Sequence, residues 1–367
     1  MVLSDEEYIA ESRDPTPEPT MEIIETPTPT HGILKKTEII EEETQLKGEN
    51  IKKEERVPDM QLGRCRYVRL HDNVNYVAAA LILRENGSNL EVLLIQEAKK
   101  SCYGKWYMPA GRVEAGETLE ESVKREVLEE TGYDCDVIEL LSLQVQGSGW
   151  YRFSFFCKIT GGSLKTTADI ESLAAQWFPI DDVLKRKMPL RGKDFLKLVE
   201  EAVTYEKMKK FENIPRILPQ NVNMPGLFVE FMIVRHSLDE SRTEVLVHKS
   251  IQDEEMLRIH DQPFPTVEFG FEYFFAMVIS KCYRHLLEEG ANVVFAPSHV
   301  VRVRCHPKPM ESLAHGLAVR LYCLHKKSTT KAMIRSPRYH WIQVDNAETR
   351  EQLCLNKNQY RPTLQML

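Results

Sequence analysis

No stretch of this 367-residue sequence is apolar for long enough to cross a bilayer. Runs such as residues 76–83 fall far short of the ~20 residues a spanning helix needs. The first 30 residues hold acids and prolines and lack an apolar segment, which argues against a secretory signal. There is no CxxC pair: the 8 cysteines are scattered, several of them in apolar, strand-like runs. That excludes a disulfide framework and predicts reduced thiols in a cytoplasmic or nuclear protein. No polybasic run exists to grip a long nucleic acid. Aromatics are nearly missing from residues 1–60, where Tyr8 stands alone.

What is present is unevenly spread. Residues 1–60 carry 16 Asp and Glu against 7 Lys and Arg, leaving 39 against 41 in the rest of the chain. The acidity of the chain, formally −7, therefore belongs to its first segment. With repeated Thr-Pro steps and little to bury, residues 1–60 are expected to form a disordered acidic tail. Thr16, Thr26 and Thr28 each precede a proline and offer sites to proline-directed kinases; an unmodified, solvated tail is the plainer reading.

Order is expected from about Arg64. Residues 75–83 and 91–97 read as strands joined by a turn at Asn86-Gly87-Ser88. Further strands are predicted at 136–146, 150–159 and 173–178, and a helix at 192–205. Strands and helices mix without regular alternation, which predicts an α+β sandwich over 61–205. A proline-bearing linker at 206–220 is expected to lead to a second, small α+β domain at 221–367. Its strands are predicted at 226–235, 243–249, 293–305, 316–325 and 339–344, with a helix over 271–287 that stops at Gly290. No chemical motif is visible there. Arg302 and Arg304 share one strand face, for which a solvated surface is the expectation.

The chemistry is concentrated in residues 111–133, GRVEAGETLEESVKREVLEETGY. Thr118 and Glu121 make a capping box that starts a helix just after Glu117, and Gly132 is suited to end it. Within the helix Glu126, Glu129 and Glu130 stand at i, i+3 and i+4 and share a face. Like charges at that spacing repel, and a hard divalent cation removes the penalty by taking carboxylate oxygens and bridging to phosphates. Gly111 lets backbone come close, so that a carbonyl can add a ligand. Val123 and Val127 supply an apolar stripe beside the acids. An acidic triplet alone would be read as a solvated face; Gly111, Glu117, Arg125 and Gly132 in register reverse that reading.

This pattern resembles the Nudix box, G-x5-E-x7-R-E-U-x-E-E-x-G-U with U apolar, at every defined position. The resemblance implies a Nudix α/β/α sandwich and metal-dependent hydrolysis of a phosphoric anhydride in a nucleotide. It implies Glu126 as general base or metal ligand, Glu129 and Glu130 as metal ligands, and the Ala110 carbonyl as a backbone ligand. Arg125 and Glu117 would pair and orient the acids. The implied cofactor is Mg²⁺ or Mn²⁺, and the implied partner is a nucleotide, with no membrane and no long nucleic acid; protein partners cannot be read.

Outside the box, ADP-ribose-type members usually carry a proline some fifteen residues further on, and none occurs between Tyr133 and Phe178. The segments VLLIQEAK (92–99), WYMPAGR (106–112), TGGSLKT (160–166), ESLAAQWFP (171–179) and PLRGKD (189–194) are instead similar to the MutT-related 8-oxo-dGDP phosphatases of animals. That likeness covers about 74–205 and implies hydrolysis of oxidised purine nucleoside diphosphates to monophosphates. Two departures stand out. Tyr107 occupies the place of a base-reading Asn in the related 8-oxo-dGTPases, and the loop at 188–191 lacks the Asp pair used there. A base is expected to stack on Trp106, Tyr107 or Phe153, ordinary core packing being the alternative for each. Leu93 and Arg191 are further substrate-binding candidates, and Glu171 is a candidate extra acid. Competing functions are a Nudix pyrophosphatase of another substrate class, such as a nucleotide sugar or capped RNA, and a non-catalytic nucleotide-binding scaffold.

Overall fold

The computed structural model describes residues 59–63, 68–208, 216–222, 224–237, 242–286, 295–306, 316–325 and 334–367. These belong to a compact unit, Arg56–Leu367. The tail expected at 1–60 lies outside the described residues except for Asp59 and Met60.

Chain order is β1 (Met60–Leu62), β2 (Asn75–Asn86), β3 (Asn89–Glu97), β4 (Trp106–Tyr107), β5 (Ala110–Arg112), α1 (Leu119–Thr131), β6 (Tyr133–Gln146), β7 (Trp150–Gly162) and β8 (Ser172–Pro179). Then come α2 (Ile180–Leu184), α3 (Leu196–Met208), β9 (Gln220–Asn221), β10 (Gly226–His236), β11 (Thr243–His248), α4 (Glu254–Ile259), β12 (Thr266–Phe269) and α5 (Phe275–Leu286). The chain continues through β13 (Phe295–His306), β14 (Gly316–His325), β15 (Tyr339–Gln343), α6 (Ala347–Gln352) and β16 (Thr363–Met366).

The first half is the expected sandwich. β2 and β3 form a hairpin closed by Gly87-Ser88, with Asn86 opposite Asn89 and Gly87 at φ 62°. That positive φ is the geometry a two-residue turn requires. Strand alternation then sorts the side chains of the sheet into two layers. Ala78, Ala80, Ile82, Leu93 and Ile95 pack with Val123 and Val127 of α1. Ala79, Leu81, Val92 and Leu94 pack with Leu198, Val199 and Ala202 of α3 on the other side.

The second half pairs β10 with β14 in parallel and with β11 and β12 antiparallel, while β13 runs antiparallel to β14. α5 lays Phe275, Val278, Ile279 and Cys282 inward, a helical stripe. The helix is shorter than the 271–287 expected, and Gly290 lies outside the described residues. The halves anticipated on either side of 206–220 share one unit. β16 inserts in parallel beside β6, pairing Thr363 with Ser142 and Met366 with Val145, and touches β13 at His299. At the other edge β1 pairs with β12, so Met60 and Gln61 are strand residues.

The junction also buries an acid. Glu139 of β6 is 1% exposed, accepts the Ile217 amide at 2.6 Å through one oxygen, and has no partner for the other among the described residues. Burial pushes its carboxyl up to about 8. Between the ordinary 4.5 and about 8 the native state holds a proton that the unfolded chain has lost, so this group lowers stability as pH rises. Glu139→Gln removes the titration and keeps an acceptor for Ile217. The stability difference between the variant and the wild type is expected to shift in the variant's favour from pH 5 to pH 8 in denaturant melts. A difference constant with pH would show that Glu139 titrates normally.

Candidate active site

β5 and α1 hold the box. Thr118 accepts the Glu121 amide at 3.0 Å and Glu121 accepts the Thr118 amide at 2.8 Å, so both halves of the capping box form. At the far end Gly132 takes φ 78° and returns its amide to the Leu128 carbonyl. Lys165 Nζ and the Ser172 hydroxyl donate to the carbonyls of Glu129 and Glu130, covering acceptors the helix cannot satisfy itself.

The acids divide by depth. Glu126 and Glu130 fall on the inward stripe with Val123 and Val127 and are 7% and 1% exposed. Glu129 is on the outer side, its side chain 43% exposed. Arg125 binds Glu117 through two nitrogens, at 2.6 and 2.9 Å, and its third, Nη1, reaches Glu126 at 2.7 Å and Glu129 at 3.1 Å. This bidentate pairing is the stronger, more directional form of the interaction. The Arg125 bonds, with help from the Glu114 amide, hold the Glu117 carboxyl below its usual range. Burial pushes Glu126 up despite Arg125, and pushes Glu130 well up despite a 2.9 Å bond from the Ala110 amide.

Gly111 makes room for this. A Cβ there would run into the Glu126 carboxylate. Among the described residues, no three His, Cys, Asp or Glu side chains stand close enough to hold a metal ion. The donors nonetheless suit a hard divalent cation: buried Glu126 stands at the Gly111 gap, buried Glu130 on the neighbouring Ala110 amide, and Glu129 sits one turn away on Arg125. A cation would restore charge to acids that burial disfavours.

Residues outside the box complete the wall. Glu97, at the end of β3, is 1% exposed, pairs with Arg191 at 2.5 Å, and its second oxygen has no partner among the described residues. Its charge and that of Lys99 act on Glu130, and Lys99 also acts on Glu126. Neither residue was singled out from the sequence, although both lie in the segment 92–99 that carries the family likeness.

Trp106 and Tyr107 of β4 lie near the same end of β3. Trp106 is half-buried, edge-on to Phe178 at 4.7 Å, and held by backbone bonds to Pro189 and Arg191. Arg191 lies 4.7 Å over the Tyr107 ring. The Tyr107 hydroxyl donates to Asp194 at 2.8 Å and accepts from Arg152, which also pairs with Asp194 at 2.5 Å. The loop at 188–191 lacks an acid, but Asp194 supplies one three residues later. Burial opposes its charge, and Arg152 and Tyr107 still hold it below the usual range. Arg152 in turn donates to Gln144, and Gln144 to Gln365 of β16 at 2.8 Å.

Two of the expected substrate-binding residues, Leu93 and the base-stacking candidate Phe153, are buried in the core. Leu93 and Phe153 are both 0% exposed; Leu93 packs in the layer under α1 and Phe153 lies edge-on to Tyr76 at 5.9 Å. Neither has surface left to offer a base. Glu171 is half-buried, with its amide on Asp169 at 2.9 Å. The seven cysteines among the described residues are free and buried, and no helix among them is long and apolar enough to cross a membrane.

Comparison with known proteins agrees with the geometry. The NUDIX domain family matches residues 74–199. A Caenorhabditis elegans protein carrying the name nudix hydrolase 1 is 64% identical over 100% of this chain and 98% of its own length. The 8-oxo-dGDP phosphatase NUDT18 of Homo sapiens is 48% identical over 42% of this chain and 46% of its own. The protein of that name from Danio rerio is 34% identical over 76% and 83%. With the box formed as a capped helix–loop unit and a relative matched along its whole length, the chain belongs to the Nudix hydrolase family, enzymes that cleave phosphoric anhydride bonds.

Proposed function

We propose that this Nudix hydrolase converts oxidised purine nucleoside diphosphates, 8-oxo-dGDP and 8-oxo-GDP, to monophosphates with a divalent cation, Mg²⁺ or Mn²⁺. The observation that carries the hydrolytic part is the pair of buried acids, Glu126 set against Gly111 and held by Arg125 of the Arg125–Glu117 clamp, and Glu130 held by the Ala110 amide. The substrate class is supported by the relatives whose names state it.

Glu126, Glu129, Glu130 and the Ala110 carbonyl would hold the cation, which supplies polarisation of phosphoryl oxygens and a lower pKa for a bound water. Glu126 would accept the proton of the attacking water. Arg125 fixes the Glu126 carboxylate by one oxygen and leaves the other for that role. Arg125 also holds Glu129, which must turn from it to reach a cation. On the base side, Trp106 offers a half-buried face. Tyr107 replaces the base-reading Asn with a hydroxyl already engaged by Asp194 and Arg152, so the oxidised base would be read by a different set of donors.

The test is one assay: purified protein against normal and oxidised nucleoside di- and triphosphates, a nucleotide sugar and a capped RNA. EDTA is expected to abolish turnover and Mg²⁺ or Mn²⁺ to restore it. 8-oxo-dGDP is expected to give monophosphate and orthophosphate faster than dGDP. Full turnover in chelator would remove the metal mechanism; preference for the nucleotide sugar or the cap would remove the substrate assignment.

A further inference from the structure

Arg302 and Arg304 do not form the solvated face expected of them. Arg304 is 7% exposed and Arg320 of β14 is 8% exposed. Strand register sets Arg302 opposite Arg320, and Arg320 beside Glu230 of β10, so three neighbouring strands line up charge on one sheet face. Asp261, just after α4, closes over the row.

The bonds are specific. Glu230 accepts from Arg320 at 2.7 and 3.0 Å and from Arg302 at 2.9 Å. Asp261 takes both terminal nitrogens of Arg304, one at 2.9 Å, and its main-chain carbonyl accepts from Arg302 and Arg320 at 2.8 and 3.1 Å. Among the described residues, three guanidiniums thus face two carboxylates, one positive charge more than these acids balance. Arg258, beside the row, is matched by Glu348. A buried cation without a counter-charge is costly, so such groups are normally paired. Donor capacity is unspent too. Arg304 Nε is buried with no partner among the described residues, and Arg302 Nη1 stops 3.8 Å from Asp261. Burial, with Arg320 and Arg304 adjacent, pulls Arg302 down to about 10.

The row borders open space. A cavity of about 290 Å³ is walled by Arg302, Arg320 and Arg258 with His260 and Gln220, and by one acid, Asp261, which is already engaged by Arg304. A second void, which shares Arg302 and Arg320 and is also lined by Arg304, measures about 10 Å³ and has room for a single water. The larger one is far beyond that.

We propose that the larger cavity is a second anion site, built from the C-terminal half, that binds the phosphate group of a small phosphorylated molecule through Arg302 and Arg320. The donors decide between anions. A carboxylate presents two oxygens in a plane and is satisfied by one guanidinium fork. Here donors enter from β13, β14 and α4, which suits the three oxygens of a phosphate. None of these residues belongs to the Nudix box, so occupancy does not depend on the box cation.

The test uses full-length protein in EDTA, so that the box holds no metal, and calorimetric titration with orthophosphate, a nucleoside monophosphate and succinate. One phosphate per chain is expected to bind, in Glu126→Gln as in the wild type, and more weakly as salt rises. Arg302→Gln is expected to weaken binding at least tenfold with an unchanged melting temperature. Should Arg302→Gln not fold, Arg258→Gln decides: among the described residues Arg258 pairs with the exposed Glu348, and its loss is expected to weaken phosphate severalfold. A nucleoside monophosphate binding more tightly than orthophosphate, and losing that affinity in Arg302→Gln, would extend the site to the nucleoside. Unchanged affinity in a folded Arg302→Gln or Arg258→Gln, no phosphate binding at millimolar concentration, or succinate binding as tightly as phosphate would overturn the proposal.

Discussion

Glu126→Gln is expected to yield a folded protein whose turnover at saturating Mg²⁺ falls ~10²–10⁴-fold, the usual cost of losing a general base. Glu126 is buried on the inward stripe of α1 and held through one oxygen by Arg125. Gln keeps the shape, the helix propensity and an acceptor for that bond, so the change removes charge and basicity and little else. Burial already disfavours the ionised acid in the absence of a cation, and Glu129 adds repulsion. The melting temperature without metal should therefore hold or rise, while with Mg²⁺ the variant should gain less from the metal than the wild type does. The paired measurement is steady-state turnover together with thermal melting in chelator and in Mg²⁺. More than about a tenth of wild-type turnover, well above that general-base range, would move the role of base to Glu129, Glu130 or Glu171.

Gly111→Ala should be nearly as damaging for a different reason. The new methyl lands on the Glu126 carboxylate, the far end of a flexible side chain. The acid can swing away, so the fold is expected to survive with a small loss of stability. Swinging away takes it off its catalytic position, and a displacement of ~1 Å can cost ~10²-fold in rate. A fall in kcat of that order with a melting temperature within a few degrees of wild type is the expected result. Wild-type kcat would show that the carboxylate has a second productive position, and loss of folding would show that Gly111 is needed for the β5–β2 pairing instead.

The sequence was legible wherever local chemistry sets local structure. The capping box, the αL glycine and the Gly87 turn each act within a few residues, and each forms as expected. It was less legible where partners are distant. β12 has four residues between Pro265 and Gly270, and β16 has four whose pairing partner is 221 residues away; neither carries enough period to be seen. Leu93, in the family-like segment 92–99, is expected from sequence to bind substrate and the aromatic Phe153 to stack on a base, whereas strand alternation turns both into the core. Asp194 and Arg152 were missed as partners of Tyr107 because the three lie 42 to 87 residues apart. The Arg302–Arg304 pair misled for the same reason: two charges at i, i+2 on a strand read as solvated until Glu230, Asp261 and Arg320 are brought against them.

β16 ties the order of assembly to the chemistry. Its Gln365 bonds Gln144, which bonds Arg152, which bonds Tyr107, so the wall that we propose faces the base rests on a contact made across 221 residues. The entropy of closing so long a loop grows slowly, by ~0.6 kcal/mol for each doubling, so the tie is not weak for being long-range. Its cost is time. Pairings between sequence-distant strands raise contact order and slow folding. The box helix, capped by its own residues, can form early, while the substrate wall beside it waits for the second half of the protein. An intermediate holding the acids but lacking a finished wall would carry the proposed catalytic groups without the residues proposed to choose what they cleave.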